Sequence, residues 1–319
     1  MAVDGPPDDG PLTAMTGGTR AGARIALVTC TEFAELEADD RLVIAPLAAR
    51  GVTAVPEVWD DPRVDWAGYD LVVLRSPWDY VPRRDDFVAW ATRVPRLANP
   101  AGVVGWNTDK RYLAELGRAG VPTVPTSWVE PGQHWQPPTG PGEYVVKPAV
   151  SAGSQDTGRY DPADPRHREL AVAHVRRLTA AGRTVMVQPY LSAVDTDGET
   201  ALLFLAGPDG PVFSHAIRKG PILTGPDLRA PGLYRPEEIT ARSATADQLA
   251  VAGKALATVP GGPGQLLYAR VDLIAGPDGA PVLVELELAE PSLFLGYAEG
   301  AADRLAEAIA GRLSSSRPG

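Results

Sequence analysis

Near the end of the chain, two short apolar-rich segments, Leu266–Ala275 and Pro281–Ala289, carry charged residues at alternate positions. The turn sequence Gly276-Pro277-Asp278-Gly279 between them predicts a β-hairpin. Side chains alternate between the faces of a strand, so Tyr268, Arg270 and Asp272 share one face of the first strand. Leu283, Glu285 and Glu287 share one face of the second. If the two faces coincide, a guanidinium and three carboxylates meet on a surface otherwise built from Val, Leu and Ile. Carboxylates crowded in a partly apolar place repel one another, and some must take up protons. A hard divalent cation removes that conflict, and Mg²⁺ is usually held by a few carboxylates together with substrate phosphates. The competing explanation is a solvated outer face, with Arg270 paired to Asp272 or Glu285. The run VLVELELAEP weighs against it, because its acids lie within a stretch that otherwise reads as buried.

Three other places could do chemistry. Glu143–Lys147 reads as a strand ending in lysine, followed by the small-residue loop Pro148–Ser154. Backbone N–H groups and hydroxyls beside a cation suit phosphates, although the segment is not a Walker A sequence and an ordinary flexible loop has the same composition. Lys110 is expected in the first turn of a helix capped by Asn107 or Thr108 and running to Ala119. That is the wrong end of the helix dipole for a cation, which hints at an anion nearby, against the commoner explanation of an exposed lysine. The third place is Arg75-Ser76-Pro77-Trp78-Asp79-Tyr80, directly after a predicted strand. It offers a two-donor fork, a hydroxyl, an indole, a carboxylate and a phenol; a Pro-kinked turn with Trp78 packed on the core explains it equally well. His215 reads as a core or cross-strand histidine rather than a catalyst.

The elements that must position these groups alternate strand and helix from Arg24 onward. Strands are expected over Arg24–Thr29, Val52–Val58, Asp70–Leu74 and Gly102–Val104, with helices over Glu35–Arg50 and Arg83–Val94. This alternation predicts a small parallel α/β layer with ligands beyond the carboxyl ends of its strands. The loop Cys30-Thr31-Glu32-Phe33 lacks a GxGxxG fingerprint, which disfavours a nicotinamide-dependent dehydrogenase. Further on come a helix over Asp164–Ala181, a strand Thr184–Gln188, and strands Glu199–Ala206 and Val212–Ile217. After the loop Pro221–Pro236 come a helix Thr245–Thr258, the acidic hairpin and a last helix Tyr297–Leu313.

Composition bounds the partners. The 319 residues suit two or three subdomains, and 44% hydrophobic residues with a mean hydropathy of −0.10 suit a globular protein. A net charge of −10 argues against nucleic acid or an anionic membrane as the main partner. Cys30 is the only cysteine, which excludes an internal disulfide and fits a cytoplasmic location. No apolar run approaches the ~18 residues of a membrane span. Residues 1–23 read as a Gly/Pro/Asp-rich disordered leader containing a second candidate start, Met15. Residues 314–319 read as a flexible tail.

Taken in order, these parts resemble the ATP-grasp superfamily of carboxylate–amine ligases. The sequence is an α/β layer, a lysine at a helix start, VVKP before a Ser/Gly loop, VMVQPYL, a basic pair after a hairpin, RVD, and ExE followed by proline. The likeness spans Arg24–Leu313, and RSPWDY, WNTDK, VVKP, QPYL and ELELAEPSLF are similar to the branch of O-ureido-serine cyclo-ligases that make cycloserine. The resemblance implies an α/β (α+β) ATP-grasp architecture. A substrate-side layer would occupy residues 24–106, with ATP-clasping subdomains at 107–190 and 191–313.

Carried over position by position, the resemblance implies ATP and two Mg²⁺ ions, with Mn²⁺ as a substitute. Lys110 and Lys147 would bind phosphates under a lid of Ser151, Gly153 and Ser154. Gln188, Tyr190 and Leu191 would meet adenine, and Glu199, or its competitor Asp195, the ribose. Lys219 or Arg218 would approach the γ-phosphate, Arg270 would stabilise the transferred group, and Asp272, Glu285 and Glu287 would hold the metal. On the substrate side stand Arg75, Ser76, Trp78, Asp79, Tyr80 and Ser292, with Arg75 on a carboxylate and Asp79 on an α-ammonium. The implied partner is a small amino acid, with no nucleic acid or membrane and with a homodimer compatible. The alternatives are an intermolecular amino-acid ligase and an inactive nucleotide-binding regulator.

Overall fold

The computed structural model describes residues 22–227, 233 and 237–315. The expected leader falls outside them except for Gly22 and Ala23, and Ala23 already belongs to the first strand. The first layer contains β1 (Ala23–Thr29), α1 (Ile44–Ala49), β2 (Val52–Val58), β3 (Leu71–Ser76), α2 (Arg84–Arg93) and β4 (Leu97–Ala98). Its sheet is parallel in the order β2-β1-β3-β4. Two expectations fail here. Leu36 has a left-handed backbone (φ 67°), which keeps the stretch after Glu35 from continuing as one helix, and regular α-helix begins only at Ile44. Residues 102–104 are not a strand but part of helix α3 (Ala101–Asn107), which directs Val103 and Val104 into different cores.

Helix α4 (Tyr112–Arg118) follows a four-residue link, so Lys110 lies between two helices and Asn107 ends one instead of capping the next. A four-stranded antiparallel sheet then forms from β5 (Ser127–Val129), β6 (Tyr144–Pro148), β7 (Gly158–Tyr160) and β8 (Val185–Pro189), in the order β5-β8-β6-β7. Helix α5 (Pro165–Ala180) covers it; Asp164 caps its start by accepting from the Arg166 N–H at 2.8 Å. A short turn of helix, α6 (Ala193–Thr196), leads into the last sheet.

That sheet is antiparallel and five-stranded. It comprises β9 (Glu199–Gly207), β10 (Gly210–Lys219), β11 (Ile239–Arg242), and, after helix α7 (Ala246–Ala257), β12 (Tyr268–Ala275) and β13 (Pro281–Glu287). Their order is β11-β10-β9-β12-β13. Thr245 and Gln248 form a reciprocal capping box at the start of α7. Helix α8 (Ala301–Ser315) closes the fold, so Ser314 and Ser315 are helical; residues 316–319 of the expected tail lie outside the described residues. Of the loop 221–236, so do 228–232 and 234–236. No helix among the described residues is long and apolar enough to cross a membrane.

Alternation along β9 divides its residues between two cores. Ala201, Leu203 and Leu205 face α8 and the parallel layer, while Leu202 and Phe204 face α7 and α4. The parallel layer and the five-stranded sheet therefore share one apolar core. Side chains from before and within the helix pair also stitch the outer edge of β13. The Asn107 carboxamide donates to Leu286 O at 2.7 Å and accepts from Leu288 N–H at 2.7 Å, and the Tyr112 hydroxyl bonds both N–H and C=O of Leu286. Asn99 donates to Leu288 O and Tyr268 O and accepts from Leu267 N–H.

Candidate active site

The face of the five-stranded sheet that carries Leu205, Leu203, Ala201 and Ile217 changes character toward one end. There β9 and β10 present Glu199 and Lys219, paired in register, and β12 and β13 present Arg270 opposite Glu287 and Asp272 opposite Glu285. The two hairpin faces do coincide for these four residues. Leu283 departs from expectation: a register shift beside Asp272 pairs it with Leu273 and turns it into the core against α4 and α7.

The charges are interlocked. Asp272 is 1% exposed and accepts from Lys219 Nζ at 2.8 Å and Arg270 Nη2 at 3.0 Å. Arg270 also grips Glu287, and Lys219 grips Glu199. Lys110 spans 3.1 Å to Glu285 and donates to the Ser151 carbonyl at 2.7 Å and hydroxyl at 3.0 Å, tying the Ser/Gly loop to the hairpin. A solvated outer face is thus excluded for the hairpin. Burial alone would raise the Asp272 and Glu285 carboxyls; the cations around them outweigh it and hold both below the usual range. Glu287 and Glu199 go the other way. Burial raises both, and neighbouring carboxylates add to it in spite of Arg270 and Lys219.

Lys147, at the end of β6, faces the same space from the opposite sheet. Its ammonium makes no ion pair or hydrogen bond among the described residues, and burial lowers its pKa, with Lys110 and Lys219 adding to the effect and Glu285 and Glu199 opposing it. Between the two sheets lies a cavity of about 490 Å³. Lys110, Lys147, Lys219 and Arg270 line it, as do Ser151, Gly153 and Ser154, whose loop is turned by left-handed backbone at Gly153 and Ser154. Gln188, Tyr190 and Leu191 form one wall, and Glu199, Glu285 and Glu287 are at the sheet face. Trp78, Tyr80 and Ser292 border the end nearest the parallel layer.

Six of the sequence-named residues stand elsewhere. Arg75 is fully buried and saturated: it donates to Asp40 at 2.9 Å, to Pro291 O at 2.7 Å and to Leu74 O. It cannot offer a fork to a substrate. Ser76 bonds Thr29 inside the core, and Asp79 accepts from the Trp59 indole at 2.8 Å and from Arg83, so neither reaches the cavity. Asp195 is held by the Tyr190 hydroxyl and Arg159, leaving Glu199 as the acid on the cavity. Arg218 points away, donating to Asp197 O, and Asp272 lies behind the wall formed by Lys219 and Arg270. His215 is a core histidine that bonds Ser214 and Leu293 O.

The chain is 40% identical over 310 residues to the cycloserine biosynthesis protein DcsG of Streptomyces lavendulae, covering 91% of this chain and 98% of that protein. The chain belongs to the DcsG family. Residues 25–99 match the family description of the N-terminal domain of D-cycloserine synthetase DcsG. The crystal structure of D-cycloserine synthetase DcsG superposes with a TM-score of 0.78 at 38% identity, over 91% of this chain and all of the other. D-alanyl-alanine synthetase A from Vibrio cholerae superposes at 0.63 with 11% identity, over 93% and 99% of the two chains. A RimK domain ATP-grasp protein from Sphaerobacter thermophilus gives 0.59 with 18% identity, over 89% and 98%. These two distant likenesses show the fold, which is that of ATP-grasp ligases. This DcsG-family chain is an ATP-dependent ligase of that architecture.

The charges of the DcsG-family hairpin bear on how it meets a divalent cation. Among the described residues, no three acidic or imidazole side chains stand close enough to share a metal ion, because each hairpin carboxylate is drawn to a lysine or arginine. Yet four carboxylates, Glu199, Asp272, Glu285 and Glu287, share this end of the sheet with Lys219 and Arg270, and burial together with neighbouring carboxylates raises the pKa of Glu287 and Glu199. An all-oxygen donor set with surplus negative charge fits Mg²⁺.

The sequence reading missed Glu37, Asp39, Asn107, Thr108, Glu290, Phe294 and Tyr297, all of which line the cavity. Only Glu290 carried a signal, as the next acid after the alternation of Glu285 and Glu287. Glu37 and Asp39 had none, since Asp39 reaches the site by accepting from the distant Leu295 and Gly296 N–H groups at 2.7 and 2.8 Å.

Proposed function

We propose that the cavity clasps ATP and that the chain cyclises O-ureido-serine to cycloserine through an acyl phosphate. The observation that carries this reading is Lys147: burial disfavours its ammonium despite Glu285 and Glu199 nearby, it makes no ion pair, and a nucleotide phosphate between two sheets would give it a direct partner. Identity of 40% with a cycloserine biosynthesis protein supports the choice of substrate.

In this scheme Lys110 and Lys147 neutralise the α- and β-phosphates, and Ser151–Ser154 fold over them. The backbone of Gln188–Leu191 meets adenine, and Glu199 meets the ribose. Glu285 and Glu287 would hold two Mg²⁺ ions, Mn²⁺ substituting, which would supply charge neutralisation for the phosphates, while Asp272 behind them holds Lys219 and Arg270 in place. Lys219 and Arg270 lie where charge develops on the transferred group. The substrate carboxylate attacks the γ-phosphorus, the bond to ADP breaks, and an acyl phosphate forms. The oxygen-linked urea nitrogen of the same molecule then attacks the acyl carbon. Phosphate leaves and a five-membered ring closes, a step favoured by proximity. Water removes the carbamoyl group as carbon dioxide and ammonia. No protein nucleophile takes part, and closure of the Ser/Gly loop keeps water from the acyl phosphate.

Incubation with ATP, Mg²⁺ and O-ureido-serine, followed by mass spectrometry, should show cycloserine and ADP in equal amounts. ADP release only when a second amine is added would replace cyclisation by intermolecular ligation. Binding of ATP with no ADP from any amino acid would replace both by a nucleotide-binding regulator.

A further inference from the structure

Resting on the reading above, we infer that Glu290 receives the α-ammonium of the amino-acid substrate, the role that Asp79 cannot fill. The acids lining the cavity are almost all committed. Glu199 is engaged by Lys219, Glu285 by Lys110 and Glu287 by Arg270. Asp39 accepts two backbone N–H groups, and Glu37 accepts the Asp39 N–H at 2.7 Å. Glu237 lies toward Lys219, Glu199 and Arg270, whose charges it perturbs. Glu290 differs: its carboxyl lines the cavity beside the Tyr80 phenol and has no ion pair among the described residues.

The position is built. Its carbonyl accepts from the Trp78 indole at 3.0 Å, which locks the residue to the parallel layer. Neighbouring Pro291 O is held by the buried Arg75, and Ser292 O accepts from Arg270 at 3.2 Å. The carboxyl therefore sits on a rigid segment, a few residues along the chain from the contact that brings Arg270 to the reacting group. Burial lifts its pKa to about 7 in spite of Tyr80, Lys110 and Arg270, and an ammonium bound directly to the carboxyl would favour its charged form. Arg75 contributes by fixing this segment, a positioning role that replaces the substrate contact expected from the sequence.

Two ligands separate this role from a structural one: O-ureido-serine and its analogue without the α-amino group, 3-(ureidooxy)propanoate. In Glu290→Gln the KM for O-ureido-serine should rise ~10–100-fold, the range for loss of a charge-assisted bond, while the KM for ATP stays within about threefold. Calorimetry with a non-hydrolysable ATP analogue present should show the same loss for O-ureido-serine and under about threefold for the desamino analogue. Glu290→Asp should recover part of the difference. Equal losses for the two ligands, or a fall in kcat at unchanged KM, would overturn the inference and leave the cyclase reading intact. No binding of O-ureido-serine by the wild-type enzyme would overturn both.

Discussion

The loop Arg75–Tyr80 and the hairpin Arg270–Glu287 use the same kinds of side chain to opposite ends. In the loop, Arg75 is matched by Asp40 and two carbonyls, and Asp79 by Trp59 and Arg83, so no charge is left for a ligand. In the hairpin and the strands beside it, cations and acids hold one another around open space, and the balance is incomplete on both sides: Lys147 makes no ion pair, and Glu287 and Glu199 are pushed toward protonation. Saturated charge is structure; mismatched charge beside a cavity is readiness for a ligand. Residue type alone does not separate the two.

The largest test of that contrast is on the structural side. Arg75→Leu leaves Asp40 buried without its partner and should cost about 3–5 kcal/mol in urea unfolding, with Arg75→Met/Asp40→Leu recovering most of it. A loss below about 1 kcal/mol would show that the loop is not saturated as described. On the hairpin, Glu285→Gln should cut ADP formation ~10²-fold, as loss of electrostatic stabilisers does elsewhere. Its unfolding free energy should move by no more than about 1 kcal/mol. Near-normal turnover would return the hairpin to a structural role.

Lys147→Ala should weaken ATP binding ~10–100-fold and adenosine binding by less than about threefold, because the missing charge faces phosphate. Since burial disfavours the ammonium in the empty protein, the unliganded variant should melt no lower than wild type; a clear fall would mean the lysine supports the fold. An effect on stability alone is expected at His174, buried behind the four-stranded sheet and bonded to the Tyr160 hydroxyl at 2.8 Å. Burial lowers its pKa from 6.5 to about 4, so the folded state prefers the neutral ring. The resulting stability is complete above pH 6.5 and is lost as the pH falls toward 4, by roughly 1–3 kcal/mol. His174→Gln should flatten that part of the pH profile relative to wild type, and superimposable profiles would refute the assignment.

What the sequence could and could not reveal follows the range of the interactions. The hairpin was legible because alternation and a turn signal are local, and Arg270, Asp272, Glu285 and Glu287 meet through neighbouring strands. Alternation failed only at Leu283, where a register shift reversed its face. Lys147 was legible as a strand end before a small-residue loop. Arg75 was misread because its partners, Asp40 and Pro291, lie 35 and 216 positions away. The link containing Lys110 looked helical from Asn107 onward, but Asn107 is drawn to Leu286 and Leu288, and Lys110 N–H to Ala149 O at 2.9 Å. Glu290 was passed over because only the fold brings Tyr80 beside it.

The stitched margin of β13 bears on how the protein behaves in a crowded solution. A terminal strand of a sheet normally exposes a row of backbone groups that invites another polypeptide to add itself. Here Asn107, Tyr112 and Asn99 occupy that row, and Leu283 exchanges bonds with the Pro122–Val124 segment. The strand bearing the densest acids of the site thus cannot zip onto a second copy. Self-association by strand addition is closed off on the flank where it would distort the cavity, and any assembly of whole molecules must use another surface.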